Sequence, residues 1–410
     1  MKIGIYVNQS STSGGAFYES LSTAINFNDN KAELFYFSSN KDSKNYLKKE
    51  GLEVSFIRLN FFDRFLLFIR RIILLYAASV IPGNVIPVKI MKKFLPKYNK
   101  FEKAFVDKKI DLIYFTSPET NSIYLENLNF IITIWDLAHY TIPFFPELRN
   151  NNVFETREIF YRNIIPKSFA IIVGQKIVKD LLIKLYAQNE KKIFYVPEKA
   201  SINLIKLESF SNFKFNKNEF LNFPDKYLYH PGQYSSHKNQ RILIDAIDQL
   251  KKRNFNDFGV VFSGTDRGNL KFLKKLVKIK GLENRVIFLP YLSDEDVYKV
   301  FKGSFALAMP TFIGPGTLPT MEAMYLGTPL IMPDYKVNKD LYKECSLFYR
   351  NDDAYSLSEK IIELDKSDEL RMYLQKKGKE RYKEIMNDSD LKDFLTHLNS
   401  FKNILKTFKI

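Results

Sequence analysis

The sequence predicts an α/β protein with two doubly wound domains. Its 410 residues exceed what one hydrophobic core usually supports. Short apolar runs alternate with helical patterns, which is typical of a parallel sheet covered by helices. The alternation comes in two series, and a polar segment rich in Asn and Lys (197–226) separates them. We therefore expect one domain over 1–196 and a second over 227–375, with ligands bound outside the carboxyl ends of the strands.

The first series supplies seven strand candidates. A loop with Gly14 and Gly15 follows the first of them, and a helix begins near Phe17. Helical patterns lie between most of the others, so a parallel sheet is expected. The candidate strands are 3–7, 34–37, 53–57, 112–115, 130–134, 170–173 and 192–196.

The second series begins at Tyr227 with the apolar strand YLYHPG. A loop to Lys238 precedes a helix whose apolar residues from Ile242 to Leu250 share one face. Ser293 and the acidic residue three positions later resemble a capping box that opens another helix. The further strand candidates are 259–262, 286–289, 305–309 and 329–332.

The segment 57–105 departs from this alternation. Residues 61–76 are almost wholly apolar, and the four charges Asp63, Arg64, Arg70 and Arg71 would form one narrow stripe on a helix. Basic residues follow at Lys89, Lys92, Lys93, Lys97, Lys100 and Lys103. A broad apolar face flanked by Lys and Arg favours a helix lying in an anionic membrane interface. The alternatives are a helix buried against a partner, or one covering a groove of its own domain.

Composition narrows the class of protein. A single cysteine, Cys345, excludes an intrachain disulfide framework and fits a reducing compartment. The four histidines are scattered, so a Cys/His metal site is not expected. The net charge of +16 indicates a polyanionic partner, namely nucleic acid, an acidic membrane face or a phosphate-bearing substrate, unless it reflects compositional drift. Nucleic acid is the poorest fit, because the charge is dispersed and no binding module is recognisable.

The location expected from the sequence is cytoplasmic. The apolar run at the beginning of the chain is too short for the core of a signal peptide. The longest uncharged apolar segment, 72–88, contains Pro82, Gly83 and Pro87 and falls short of a spanning helix. Because the segment 57–105 is apolar and basic, we further expect the protein to be bound peripherally at the inner face of a membrane.

The stretch 308–334 carries the strongest functional signal. A turn of small residues (314–317) leads into a helix with Glu322, and a Gly-Thr-Pro turn then precedes another apolar strand. Backbone N–H groups at the head of such a helix converge on anionic oxygens, with no side chain in the way. A carboxylate in the second turn can accept from a sugar hydroxyl. The pattern therefore predicts a site for a nucleotide-sugar.

The second half resembles family 4 of the retaining, nucleotide-sugar-dependent glycosyltransferases, which have the GT-B architecture of two Rossmann-like α/β/α domains facing each other across a cleft. The matching stretches are HPGQYSSHKNQRILIDAI from His230, VVFSGTD from Val260, RVIFLPYLSDEDVYKVF from Arg285 and the region 314–334. In the first half, GGAFYESL from Gly14 and TIWDLAHYTIPFFPELR from Thr133 are also similar to the family. The architecture implies that helices over 376–410 pack back on the first domain.

The resemblance implies a set of residues that bind the donor diphosphate. Lys238 matches the basic residue that neutralises the departing nucleoside diphosphate without a metal. The family's arginine five residues earlier is replaced by Gln233, which removes one cation, and Gly232 precedes it. Gly14 and Gly15 would let the backbone approach the phosphates across the cleft.

The resemblance also implies the contacts to the nucleoside and sugar. Glu322 matches the second glutamate of a spaced pair and would bind the donor ribose. The first glutamate would fall at Gly314 and is absent, so backbone groups of the turn are expected to compensate. The remaining donor-binding residues implied are Gly264, Thr265, Tyr291, Leu292, Gly316, Thr317 and Leu318.

Asp136 and His139 follow a strand of the first domain and are the catalytic candidates. The family often has His-Asp at 135–136 and a histidine close to 139, facing the cleft. A carboxylate and an imidazole there could orient hydroxyls or relay a proton, although the leaving diphosphate may itself take the acceptor proton. A metal site at His230 and His237 is rejected, because their spacing does not suit one helix face and no carboxylate motif accompanies them.

The function expected is that of a retaining glycosyltransferase. It would move a sugar from a nucleoside diphosphate sugar to a hydroxyl of a glycan or lipid-linked acceptor, as in surface polysaccharide or lipopolysaccharide assembly, and no cofactor or metal ion is expected. Two alternatives stay open. One is a weakened sugar-nucleotide-binding or scaffold protein that has lost the first glutamate, and the other is a GT-B nucleotide-sugar epimerase.

Overall fold

A computed structural model describes residues 1–11, 15–27, 32–80, 96–210, 223–312 and 318–407. Within these residues the chain forms two sheets in which every strand pair is parallel. The first sheet has the order β3-β2-β1-β4-β5-β6-β7. Its strands are β1 Lys2–Tyr6, β2 Glu33–Ser38, β3 Val54–Phe56, β4 Leu112–Phe115, β5 Asn129–Ile134, β6 Ala170–Val173 and β7 Ile193–Tyr195.

Helices cover both faces of the first sheet, and each face has its own apolar core. The strands are near-continuous apolar runs because both faces are buried. The helices are α1 Gly15–Asn26, α2 Lys41–Lys49, α3 Phe61–Val80, α4 Lys100–Val106, α5 Ala138–Thr141, α6 Pro146–Arg149, α7 Val153–Ile164 and α8 Lys176–Tyr186.

The second sheet has the order β10-β9-β8-β11-β12-β13 and again carries a core on each face. Two Rossmann-like sheets confirm the predicted fold class. The strands are β8 Lys226–Pro231, β9 Phe258–Ser263, β10 Val286–Leu289, β11 Ala306–Ala308, β12 Leu330–Pro333 and β13 Ser346–Tyr349. The helices after β7 are α9 Ile202–Phe210, α10 Gln240–Lys252, α11 Leu270–Lys280, α12 Asp294–Gly303, α13 Leu318–Leu326, α14 Lys336–Tyr342, α15 Ala354–Asp365, α16 Asp368–Asn387 and α17 Leu391–Ile404.

The segment between the sheets contains structure that the sequence did not indicate. Helix α9 lies inside the predicted linker and packs against α12 of the second domain. The helix was not predicted, because its sequence is weakly periodic and lies in a polar segment. It is stabilised by packing against a neighbouring helix rather than by an amphipathic pattern of its own. Residues 211–222 of the predicted linker lie outside the described residues.

The chain returns to the first domain at its last long helix. Helix α16 packs against α13 in the second domain. Phe394, Leu398 and Phe401 of α17 are instead buried in the core of the first domain. The crossing begins near Asp390, whose carboxylate accepts from the Tyr195 amide at 2.9 Å. The segment predicted to return as 376–410 therefore divides, and only α17 packs on the first sheet.

The charged stripe of α3 faces its own domain. Asp63 accepts from Lys100 at 2.7 Å, and Arg70 makes a bidentate pair with Glu126 at 2.6 and 2.8 Å. Arg71 donates to a backbone carbonyl in the turn that follows β4. The helix is thus anchored mainly through its polar side, although one leucine of α3 is also buried.

The apolar side of α3 faces solvent. The exposed fraction ranges from 86% at Phe61 to 45% at Ile72. Lys97 and Lys103 are exposed nearby, whereas Lys89, Lys92 and Lys93 lie outside the described residues. Among the described helices, none combines the length and apolar character needed to cross a bilayer. The exposed apolar residues of this face are Phe61, Phe62, Phe65, Leu66, Phe68 and Ile72.

Candidate active site

A cavity of about 410 Å³ lies between the two domains. Its walls come from the residues that directly follow strands of both sheets, such as Asp136 after β5 and Gly232 after β8. Carboxyl ends of parallel strands are where open α/β sheets bind ligands. The cavity is therefore the candidate active site, and we call it the cleft.

The cleft brings together most of the residues that the sequence predicted. Gly14, Gly316 and Thr317 lie outside the described residues. His139 lies in the described part of the chain but is not in the wall of the cleft. The predicted residues that line the cleft are Gly15, Asp136, Gly232, Gln233, Lys238, Gly264, Thr265, Tyr291, Leu292, Leu318 and Glu322.

Two glycines let the loops after β8 and β9 touch. Gly264 has φ of +156°, and a Cβ there would lie 2.2 Å from the carbonyl oxygen of Gly232. No other residue type fits such an approach without displacing backbone. The amide of Tyr234 donates to Thr265 at 2.9 Å and joins the same two loops. This contact forms the floor of the cleft on the side of the second domain.

Lys238 is the lysine of the second domain that reaches this floor. It ends a short 3-10 turn and is followed by Asn239 in the left-handed conformation, with φ of +52°. Burial lowers the pKa of its ammonium, while Asp136 and Glu198 across the cleft act in the opposite direction. Its charge is therefore directed at the space between the domains.

Asp136 is held ionised by its neighbours. Its Oδ1 accepts from Arg157 at 2.6 Å and from the Ala138 amide at 2.8 Å. Burial opposes ionisation, but these contacts keep the pKa of Asp136 below its ordinary value. The carboxylate is fixed in one orientation at the wall of the cleft.

His139 does not take the predicted position. Its side chain is fully buried in an aromatic cluster with Tyr140, Phe154 and Tyr161, and Nε2 lies 3.5 Å from Glu158. The short helix α5 turns the imidazole away from the cleft. Burial lowers the pKa of His139, so a neutral ring supports the loop behind Asp136.

Glu322 lies on α13 and is only 6% exposed. Burial raises its pKa to about 8, although the hydroxyl and amide of Ser201 stabilise the ionised form. Ser201 belongs to the segment between the domains. The predicted ribose ligand is thus in the cleft, next to a residue that the sequence assigned to a linker.

His230 and His237, whose spacing does not suit a metal site, contact different partners. His230 Nδ1 lies 2.9 Å from the carbonyl oxygen of Ala308, and His237 bonds to Glu147 of the first domain. Burial lowers the pKa of both rings to about 4, so both are neutral near pH 7. Within the described chain, no three His, Cys, Asp or Glu side chains are grouped to hold a metal ion.

Residues 212–381 match the family model described as "Glycosyl transferases group 1". The second domain is thus similar to the group 1 glycosyl transferases. This match confirms the resemblance drawn from the sequence. The chain is similar to mannosylfructose-phosphate synthase of Agrobacterium fabrum, with 26% identity over 41% of this chain and 38% of that protein. It is also similar to the O-antigen chain mannosyltransferase of Salmonella typhimurium, with 24% identity over 56% of this chain and 64% of that protein.

Both matches span less than two thirds of the relative's length. Among solved structures, Anabaena HepE in complex with UDP-glucose superposes with a TM-score of 0.65 at 14% identity, covering 95% of this chain and 98% of that one. At this identity the likeness shows the fold, and it extends over both domains.

Two carboxyl groups in the cleft were missed by sequence reasoning. Glu19 lies on α1, and Glu198 follows β7. Glu19 stands one helical turn after Gly15 inside the quoted stretch GGAFYESL, so its place on the wall could have been inferred. Glu198 had no such signal, because the polar segment around it reads as a linker.

Two sets of contacts hold the cleft closed. The Glu147 carboxylate accepts from the backbone N–H of His237 at 2.8 Å, and the rings of Phe145 and Phe312 lie 5.4 Å apart. On the opposite side, Asp294 at the start of α12 accepts from Asn203, which also donates to a tyrosine of α2. The two domains are therefore in direct contact at two places beside the cleft.

Proposed function

We propose that this chain is a retaining glycosyltransferase that moves a sugar from a nucleoside diphosphate sugar to a hydroxyl of a glycan or lipid-linked acceptor. The observation that carries the proposal is the convergence of Lys238 and Glu322 of the second domain with Asp136 of the first on one cleft. The family match and the relatives named for mannosyl transfer support it.

Lys238 neutralises the diphosphate in this proposal. A leaving nucleoside diphosphate gains negative charge in the transition state, and a desolvated cation stabilises that charge more than water does. The amide of Gln233 and the backbone after β8 add hydrogen-bond donors. The donor is bound without a metal ion, and the leaving diphosphate takes the acceptor proton. Glu322 accepts from the ribose hydroxyls.

The acceptor enters from the first domain. Asp136 is fixed by Arg157 and accepts from a hydroxyl of the transferred sugar or of the acceptor. The O-antigen relative is named for work on a surface polysaccharide, so glycan assembly at a membrane is the context we propose.

In this proposal, helix α3 makes the contact with that membrane. We propose that its exposed apolar face inserts into the interface of an anionic bilayer, with Lys97 and Lys103 facing the lipid headgroups. The polar stripe stays bound to the domain, so insertion does not require α3 to detach. Binding to anionic vesicles in a sedimentation assay measures this association directly.

The test of the enzymatic proposal is transfer by purified protein. UDP-, GDP-, ADP-, CMP- and dTDP-sugars are first screened by thermal shift, because a ligand of the native state raises Tm. Transfer of the radiolabelled sugar to a lipid extract is then measured with excess EDTA present. We expect activity to persist in EDTA, and Lys238→Ala and Glu322→Ala to lower it roughly 100-fold or more.

The matched controls are Lys336→Ala and Glu344→Ala, whose side chains are exposed in the second domain away from the cleft. They should transfer at the wild-type rate. Proton NMR of the product should show the donor's anomeric configuration. Undiminished transfer in both cleft variants would refute the site, an inverted product would refute retention, and loss of activity in EDTA would refute metal-free transfer.

A further inference from the structure

Two carboxyl groups in the cleft have each other as partners. Glu19 on α1 and Glu198 after β7 lie within hydrogen-bonding reach. A Cβ added at Gly174 would come within 3.1 Å of Glu198 Oε1, so the backbone after β6 closes the space behind this side chain. Both groups remain in the wall of the cleft.

The other acidic residues of the described cleft have partners of a different kind. Asp136 accepts from Arg157, Asp294 from Asn203, and Glu322 is next to the hydroxyl of Ser201. Two buried carboxylates cannot both ionise at contact distance without a large electrostatic cost. The pair therefore holds a proton, and its members titrate together.

Burial raises the pKa of both members of the pair. Burial raises the pKa of Glu19 well above its ordinary value, and the charges of Glu198 and Asp136 raise it further. Burial also raises the pKa of Glu198, to about 7, but Glu19 and Lys238 act against this increase. The Trp135 side chain next to Glu19 acts in the opposite direction and favours its ionised form. The proton therefore belongs to the pair rather than to one of its members.

The pair lies near the lysine that is proposed to bind the donor diphosphate. Lys238, which holds the diphosphate in the proposed function, is close enough to act electrostatically on Glu198. The sugar is attached directly to that diphosphate, so it lies beside the same lysine. Carboxyl oxygens that face such a sugar can accept from its hydroxyl groups.

We propose that Glu19 and Glu198 form a carboxyl pair, with one proton between them, that binds hydroxyl groups of the sugar being transferred. The inference rests on the proposed function, since it assumes that a nucleoside diphosphate sugar occupies the cleft. The shared proton fixes the orientation of both side chains, and their remaining lone pairs accept from sugar hydroxyls. The pair contacts the sugar and leaves the nucleoside diphosphate to the second domain.

The experiment compares two ligands that differ only by the sugar. Dissociation constants for UDP-glucose, GDP-mannose, ADP-glucose and dTDP-glucose are measured against those for UDP, GDP, ADP and dTDP by calorimetry. Glu19→Ala should weaken binding of the sugar nucleotide by roughly ten- to hundredfold, the usual effect of losing a hydrogen bond to a charged group. Binding of the free nucleoside diphosphate should change by less than about threefold.

A conservative variant tests whether position 19 must provide a hydrogen-bond donor toward Glu198. Glu19→Gln keeps an N–H donor toward Glu198 and should recover most of the affinity that Glu19→Ala loses. Glu198→Ala provides the same comparison from the other side of the pair if Glu19→Ala does not fold. Glu155→Ala, an exposed glutamate of the first domain, is the matched control.

The outcomes are distinct. Equal loss for sugar nucleotide and free nucleoside diphosphate would assign the pair a structural role and overturn the inference. A Glu19→Gln variant as weak as Glu19→Ala would overturn the shared proton. Wild-type protein that binds none of these nucleotides would instead overturn the proposed function, and the inference with it.

Discussion

At the scale of single residues, burial raises the pKa of several carboxyl groups in the cleft. Glu322 is the clearest case, because only 6% of it is exposed and its pKa is raised to about 8. A group whose folded pKa lies above its unfolded value of 4.5 destabilises the folded state once the solvent is basic enough to ionise it. At basic pH, ionised Glu322 therefore lowers the free energy of unfolding relative to an uncharged side chain at this position.

The prediction at this scale concerns Glu322→Gln. The stabilising effect of protonated Glu322 is complete below about pH 4.5 and is lost as the pH rises to about 8. The amide does not ionise, so the variant should be more stable than wild type at pH 8.5, by at most about 5 kcal/mol at 1.4 kcal/mol for each pKa unit. The advantage should vanish near pH 4.5.

Urea unfolding at a series of pH values measures this difference. The exposed Glu344→Gln is the control and should unfold like wild type at every pH. An advantage of Glu322→Gln that did not grow with pH would show that the carboxyl is already ionised in the folded protein at neutral pH.

At the scale of elements, α3 reverses the usual amphipathic arrangement. A surface helix normally turns its apolar face to the core and its charges to water. Here Asp63, Arg70 and Arg71 bind the domain, and the phenylalanines face outward. Contiguous exposed apolar surface of this kind marks an interaction site.

The prediction at this scale is loss of vesicle binding in the double variant Phe62→Glu and Phe65→Glu. Burying one Phe side chain contributes about 1.5 to 3 kcal/mol, so removing two and adding two negative charges should abolish detectable sedimentation with anionic vesicles. Wild-type protein should bind vesicles with phosphatidylserine more strongly than phosphatidylcholine alone, and high salt should reduce the difference.

Phe272→Glu is the matched control. This phenylalanine is 50% exposed on α11 of the second domain, far along the chain from α3. Its substitution should leave vesicle binding intact. Equal loss in the control would mean that general surface charge, rather than the face of α3, decides the association.

At the scale of the whole molecule, the two domains contact each other around the cleft. Glu147 of the first domain binds His237 of the second. His237 directly precedes Lys238, so this contact between domains also positions the turn that carries the lysine. Helix α17 adds a covalent return from the second domain to the first. These contacts limit how far the domains can separate.

The prediction at this scale concerns Glu147→Ala. Loss of the contact should favour a more open molecule, and a donor that needs the closed cleft binds in proportion to the closed fraction. We expect a larger radius of gyration by small-angle X-ray scattering and a donor affinity about two- to tenfold lower, as for one net hydrogen bond. Glu33→Ala, an exposed glutamate of the first domain, should change neither.

A radius of gyration equal to that of wild type, with unchanged affinity, would show that the contacts around Asp294 hold the cleft closed without Glu147. A larger radius with unchanged affinity would separate closure from donor binding.

Local pattern was enough to predict most strands and much of the site. Apolar runs between turn residues placed β4, β6 and β10 at their observed bounds, because strands buried on both faces need continuous apolar sequence. Strand β13 was not predicted, since its four residues begin with Ser346 and lack a distinctive run. The motif after β8 predicted Lys238, because its neighbours in the chain are also its neighbours in the loop.

The sequence by itself determined the two α/β domains, the second-domain motif with Lys238 and Glu322, and an unusual apolar segment in the first domain. Only the tertiary structure decided that His139 turns away from the cleft, that Glu19 meets Glu198, and that α3 binds through its charges. The physical reason is the separation along the chain of the residues that determine each feature. Strand runs and loop motifs depend on residues close in the chain, whereas burial, shared protons and the facing of a helix depend on contacts between distant segments.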